Sequence, residues 1–220
     1  MAAEVAVVLS GCGFMDGAEV HESVLILFFL ERAGAEIKCY APDTNQMHVI
    51  NHLTGERTGE TRNVLVESAR IARGKIEDIK KARMADLDAL VISGGFGAAK
   101  NLSEFATKGP AGEVNADLVR LVNEAVEQSK PIVAICIAPA VLAAALQRSG
   151  KSATVTIGND QGTADAIRST GSVHADCPVE KAVVDEKNKI ISTPAYMLGP
   201  GPKAVGAGIE QAINKLMAWL

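Results

Sequence analysis

The stretch Pro131-Ile-Val-Ala-Ile-Cys-Ile-Ala-Pro139 constrains the fold of this chain more than any other. Ile132–Ile135 is an unbroken apolar run, the pattern of a short, fully buried strand. After Pro139 the segment Ala140–Leu146 is apolar and alanine-rich and reads as a buried helix. Cys136 falls at the junction, with Ala134 and Ala138 two positions away on either side. Strand and helix backbones approach closely at such a corner, so small flanking residues are required. This is the pattern of a nucleophile elbow, with alanine in both places where glycine is usual. Pro139 suits the first turn of the helix, where a missing N–H costs nothing.

An elbow puts the thiol at a helix N-terminus. A free cysteine has a pKa near ~8.5, so only about 3% is thiolate at neutral pH. Helix N–H groups and the dipole favour the anion and can lower the pKa to roughly 3.5–7.5. The expectation is therefore an activated thiol aimed off the sheet edge into a cleft. The competing reading is a small hydrophobe filling a strand end, a common fate of free cysteine.

The rest of the chain suits a single α/β domain over residues 1–220. It is 48% hydrophobic with 4% aromatics, which means a core of Val, Ile, Leu and Ala, as buried parallel sheets need. A formal charge of −4 gives no reason to expect nucleic acid or an anionic membrane as a partner. The longest apolar stretches, Val24–Leu30 and the proline-punctuated Pro131–Leu146, are shorter than the ~18 residues of a membrane span. Glu4 precedes the first apolar run and no basic region precedes it, which argues against a signal peptide. Cys12, Cys39, Cys136 and Cys177 are widely spaced, without a C-x-x-C pair. Neither a disulfide framework nor a zinc site is expected, and a cytoplasmic location is the default.

Strand and helix patterns alternate along the sequence. Strands are expected at Val5–Leu9, Glu36–Ala41, Ala89–Ile92, Ile132–Ile135, Ala153–Ile157, Ala182–Asp185 and Lys189–Ser192. Helices are expected at Glu19–Ala33, Asn63–Ala72, Val114–Gln128, Ala140–Leu146, Thr163–Ser169 and Lys203–Leu220, with Gly34 and Gly74 as stops. Residues 44–62 are polar and turn-rich, an excursion from the domain with Thr54-Gly55 in a hairpin. The alternation predicts an open, doubly wound, mostly parallel sheet with helices on both faces. The site then lies at the carboxyl ends of the strands, where the loops Ser10–Gly17, Ser93–Gly97 and the Cys136 elbow converge.

Around the thiol, Gly94 and Gly95 can face the same cleft, and N–H groups of Gly95 and Ile137 can form an oxyanion hole. Glu22, in the first turns of the first helix, is a candidate buried acid that shares a proton with the thiol or substrate. Asp16 and Glu19 compete with it on spacing. Cys12 and Asn101 are further cleft candidates. The histidines carry less: His48 and His52 lie in the excursion and read as solvated. His174 with Cys177 is a weak metal pair. His21 adjoins Glu22, yet neighbours on a helix point about 100° apart, so one of the two should face away. No spacing ties a histidine to Cys136.

Ala134-Ile-Cys-Ile-Ala-Pro139, Gly94-Gly-Phe-Gly-Ala-Ala-Lys-Asn-Leu-Ser103 and His21-Glu22 together resemble the ThiJ/PfpI superfamily, relatives of class I glutamine amidotransferases. Leu9-Ser-Gly-Cys-Gly13, Asn51-His-Leu-Thr-Gly-Glu56, Thr61-Arg-Asn-Val-Leu65 and Thr193-Pro-Ala-Tyr-Met197 resemble the narrower ElbB-type group, labelled isoprenoid biosynthesis proteins with an amidotransferase-like domain. The resemblance implies a flavodoxin-like fold, a frequent homodimer, and a cofactor- and metal-independent glyoxalase activity on a small aldehyde, glyoxal to glycolate. It also implies Cys136 as nucleophile, Glu22 as its acid, and Gly95 with Ile137 as oxyanion donors. The superfamily often has a histidine after a Val-Thr-x strand; here Val155-Thr156-Ile157 runs into Gly158. Two other functions fit the same residues. One is a thiol redox sensor, or a chaperone-like or protein-deglycating protein, that uses Cys136. The other is a dinucleotide-binding module built on Gly11-x-Gly13 and Asp43, with Asp16 where a third glycine belongs.

Overall fold

A computed structural model describes residues 2–220. Seven strands form the main sheet: β1 (Glu4–Val8), β2 (Glu36–Ala41), β3 (Ile76–Asp78), β4 (Ala89–Ile92), β5 (Ile132–Ile135), β8 (Val183–Asp185) and β9 (Ile190–Thr193). Their order across it is β3-β2-β1-β4-β5-β9-β8. All pairings are parallel except β8 with β9, which is antiparallel. The centre of the sheet is the expected α/β arrangement, and β2, β4 and β5 have the boundaries read from the sequence.

The alternation of side chains along each strand feeds two cores. Val8, Leu90, Ile92, Ile132 and Ala134 pack on one face against α5 (Ala116–Glu127) and α6 (Ala138–Gln147). Val7, Val91, Val133, Ile135 and Ile191 pack on the other against α1 (Val20–Arg32) and α8 (Pro202–Met217). A sheet covered on both faces must be apolar at successive positions, which is why its central strands read as continuous runs. α2 (Val64–Ile71) follows the excursion, and a short α3 (Phe96–Lys100) and α4 (Phe105–Lys108) follow β4.

Two departures from the sequence reading concern the C-terminal half. The expected strand 153–157 is only β6 (Thr154–Val155), and it pairs outside the main sheet with β7 (Val173–His174). Between them runs α7 (Gln161–Ser169). β7 is only two residues long and leaves no periodic trace. The short β3, α3 and α4 escape sequence patterning for the same reason. No helix among the described residues is long and apolar enough to cross a membrane.

Candidate active site

Cys136 sits between the end of β5 and the start of α6, with φ of 64°. Residues other than glycine pay roughly 1–3 kcal/mol for such a backbone conformation, and it persists only where the surroundings enforce it. Here the enforcement is visible: Cys136 N–H donates to Thr193 O on the neighbouring strand at 2.9 Å. Ala138 and Pro139 are buried where the helix turns back onto the sheet. The small residues noted in the sequence are those the corner needs.

The expected loops do meet at this corner. Phe96 N–H donates to Phe14 O and Gly97 N–H to Gly17 O, both at 2.8 Å, tying the loop after β1 to the loop after β4. Glu19 N–H donates to Gly94 O at 3.1 Å. Gly95 has φ of 91°, and a Cβ there would overlap both Glu19 N and Gly17 O. Only glycine allows this approach. It places the N–H of Gly95, like that of Ile137, in hydrogen-bonding reach of the Cys136 sulfur.

Of the three competing carboxylates, Glu22 is the one beside the thiol. It is fully buried, and its Oε1 accepts from Tyr196 N–H at 3.0 Å. Its Oε2 has no oxygen or nitrogen partner among the described residues and faces the Cys136 thiol past Gly94. Glu19 instead caps α1, accepting from Glu22 N–H at 2.6 Å. Asp16 accepts from Ile50 N–H at 2.6 Å and so anchors the excursion. Helix geometry separates these roles: residue 19 precedes the helix, while 22 is one turn in and turned toward the sheet.

Burial pushes the Glu22 carboxyl up to about 8, reinforced by Glu19 and opposed by the Tyr196 N–H. Burial, then the Glu22 charge, also pushes the Cys136 thiol up, against the N–H groups of Gly95 and Ile137. This corrects the expectation of a thiol lowered by the helix N-terminus alone: desolvation outweighs the helix N–H groups. Burial pushes both groups up, and because carboxyl and thiol face each other they titrate as one unit.

Gly94 does not form a wall of the cleft; it is the spacer that lets Glu22 and Cys136 meet. Asn101 is not a cleft residue either. Its amide donates to Ser10 O and Asp16 O and its oxygen accepts from Met47 N–H, so it staples the loop after β1 to the excursion. Cys12 does not line the cavity but is half-buried near Glu67 and Arg70 of α2, where burial and then Glu67 push its thiol up. Side chains of the excursion close in on this glycine loop: a Cβ on Gly11 would meet Gln46 Oε1 at 2.9 Å, and one on Gly13 would meet His52 Nε2 at 2.5 Å. The cradle a dinucleotide pyrophosphate needs is thus filled by protein side chains. Asp43, the ribose candidate, accepts from Asn63 instead. His52 is correspondingly more than solvated, since it accepts from Met15 N–H at 3.3 Å and lies edge-on to Phe14.

The thiol opens onto a cavity of about 680 Å³. Its lining includes residues that the sequence reading did not assign to the site. His21 and Tyr196 both line it, joined by a 2.8 Å hydrogen bond between His21 Nδ1 and the Tyr196 hydroxyl. The two neighbours do diverge: Glu22 is buried beside the thiol and does not line the cavity, whereas His21 is exposed and borders it. The string Thr193–Met197 carried the signal, since it follows the strand paired with β5. Where the family pattern has a histidine after β6, Ile157 N–H donates instead to His174 Nε2 at 3.3 Å, in a buried pair of backbone and ring. No cluster of three or more metal-ligating side chains occurs among the described residues.

The DJ-1/PfpI family matches the chain over residues 12–196. Human glutamine amidotransferase-like class 1 domain-containing protein 3, mitochondrial, is 47% identical over 98% of this chain and 83% of its own length. The ES1 protein homolog, mitochondrial, of Rattus norvegicus is 44% identical with the same coverage. The crystal structure of an isoprenoid biosynthesis protein with an amidotransferase-like domain from Ehrlichia chaffeensis superimposes with a TM-score of 0.93 at 42% identity, covering 99% of both chains. Drosophila melanogaster DJ-1beta, 17% identical with a TM-score of 0.55 over 99% of this chain and 95% of its own, shares the fold. With its elbow cysteine, its buried glutamate and this extent of similarity, the chain belongs to the DJ-1/PfpI family.

Proposed function

We propose that this protein is a cofactor-independent glyoxalase that converts glyoxal, or another small 2-oxoaldehyde, to a 2-hydroxy acid. One observation carries the reading: a protonatable carboxyl and two backbone N–H groups converge on the sulfur of Cys136 at the base of a cavity. The sulfur adds to one aldehyde carbon, and its proton passes to the new oxygen, giving a hemithioacetal. That oxygen lies between the N–H groups of Gly95 and Ile137, donors of a kind worth about 2.7–4 kcal/mol each in a transition state. Glu22, as carboxylate, takes the proton from this carbon, exchanges it with solvent, and delivers a solvent-derived proton to the adjacent carbon. The C–H electrons move into the former carbonyl system, so one carbon is oxidised as its neighbour is reduced. Water then displaces the thiol from the thioester and releases glycolate.

The base in this scheme is the ionised form of a group with a pKa of about 8. Turnover is expected to climb nearly tenfold per pH unit below that value and to level off above it. A flat profile from about pH 6 to 9 would remove Glu22 as the base. The central test follows glyoxal by proton NMR in a non-amine buffer with wild type and Cys136→Ala. Glycolate from wild type alone supports the reading; equal glycolate from both ends it. Run in D2O, the assay is also expected to place deuterium on the product methylene carbon, which a direct hydride shift would not do.

A further inference from the structure

We propose that the carbonyl substrate this site selects carries an aromatic or comparably bulky apolar group, so that arylglyoxals are better substrates than glyoxal itself; this rests on the glyoxalase reading. The first ground is size. Glyoxal has four non-hydrogen atoms and fills the space of a few waters, on the order of 90 Å³. The cavity above Cys136 is about 680 Å³, in the range that encloses drug-sized ligands.

The second ground is the chemistry of the wall. Phe14, Phe96, Ile137 and Met197 supply apolar surface. Phe14 and Phe96 are 45% and 51% exposed, large for phenylalanines of a folded domain, and they come from the two loops that the backbone clips together. The polar side chains of the same wall are already engaged with protein. Glu19 accepts from Glu22 N–H, Asp160 accepts from both the N–H and the side chain of Thr163, and His21 is bonded to the Tyr196 hydroxyl. The reactive polar groups are therefore gathered at the thiol end, and the remainder offers ring and alkyl surface. A ligand with a dicarbonyl head and an apolar body matches this division; one polar throughout does not.

Phenylglyoxal is the probe. Sulfur adds to its aldehyde carbon, the proton of that carbon leaves to solvent as a solvent-derived proton reaches the ketone carbon, and water releases mandelate, so the atoms balance without a co-reactant. We expect kcat/KM for phenylglyoxal to exceed that for glyoxal at least tenfold. Phe96→Ala should reduce that preference about tenfold, and the solvent-exposed position of Phe96 keeps the variant folded; Phe14→Ala provides a second reading. A preference of unity or below overturns the proposal. An independent arm measures alkylation of Cys136 by phenacyl bromide relative to iodoacetamide, with peptide mass spectrometry and free glutathione as reference. Enrichment of the aromatic reagent at Cys136, lost in Phe96→Ala, supports an apolar-ligand site even if neither aldehyde turns over, in which case only the glyoxalase reading fails. If neither aldehyde turns over, absence of enrichment at Cys136 overturns the proposal.

Discussion

Glu22→Gln is expected to lower glyoxal turnover at least 100-fold and yet to unfold at a higher temperature than wild type at neutral pH. The catalytic loss follows from removing the only buried carboxyl beside the sulfur among the described residues, since positioned acid–base groups contribute roughly 10²–10⁴-fold. The stability gain follows from linkage. An unfolded glutamate ionises near 4.5, whereas folded Glu22 holds its proton to about 8. The stability it allows is complete below the unfolded value and is lost progressively as pH rises toward the folded value. At neutral pH that loss amounts to about 3 kcal/mol, from roughly 1.36 kcal/mol per pKa unit. Glutamine does not ionise, and its oxygen can still accept from Tyr196 N–H. For a chain of this size each kcal/mol moves the midpoint by about 2–4 °C. Thermal unfolding at about pH 4.5 and about pH 7.5 checks the sign: the gap between variant and wild type should open with pH. A gap that is constant or inverted would show that Glu22 is ionised in the folded protein.

Gly94→Ala should be the most damaging single methyl addition at the site. Its Cβ would overlap Glu22 Oε2 and Cys136 Cβ and would lie 2.9 Å from Ile135 O. None of the three can retreat cheaply. Ile135 O belongs to a central strand, Cys136 is fixed by its bond to Thr193 O, and Glu22 is held by Tyr196 N–H. Overpacking of this kind costs about 1–3 kcal/mol of stability. The larger effect is on geometry, because the methyl lies between the acid and the thiol. Turnover should fall at least 100-fold, with a changed pH dependence of Cys136 alkylation as the pair uncouples. Near-normal glyoxal turnover by Gly94→Ala would mean that contact between Glu22 and Cys136 is not needed for the chemistry. Gly34 offers a control: a Cβ there would meet no atom within 4 Å, so only the left-handed backbone is strained.

Both variants strike the same short tertiary chain, in which Tyr196 N–H fixes Glu22, Gly94 leaves room, and the strained Cys136 backbone presents sulfur. Each link comes from a different part of the sequence: the loop after β9, the first helix, the loop after β4 and the elbow. Local sequence could name the participants only where a local rule applied. Cys136 was legible because a strand-to-helix corner demands small flanks within a few residues. Gly95 and Ile137 were legible because their N–H groups follow from backbone direction at the ends of β4 and β5.

The alternating apolar runs and helical segments by themselves determined the doubly wound sheet, because burial on both faces imposes a composition that no surface strand needs. They also determined where the site must lie, at the carboxyl ends of β1, β4 and β5. Tertiary structure separated the three acids that spacing left in competition: Asp16 is bonded to the excursion, Glu19 caps α1, and Glu22 inside α1 is turned toward the sheet. It decided that Asn101 and the first glycine loop are scaffolding, because Gln46 and His52 arrive from an excursion with no periodicity to announce its path. It decided, too, that the Cys136 thiol is pushed up despite its helix N-terminus. Desolvation depends on everything packed around a group, and that sum exists only once the chain is folded.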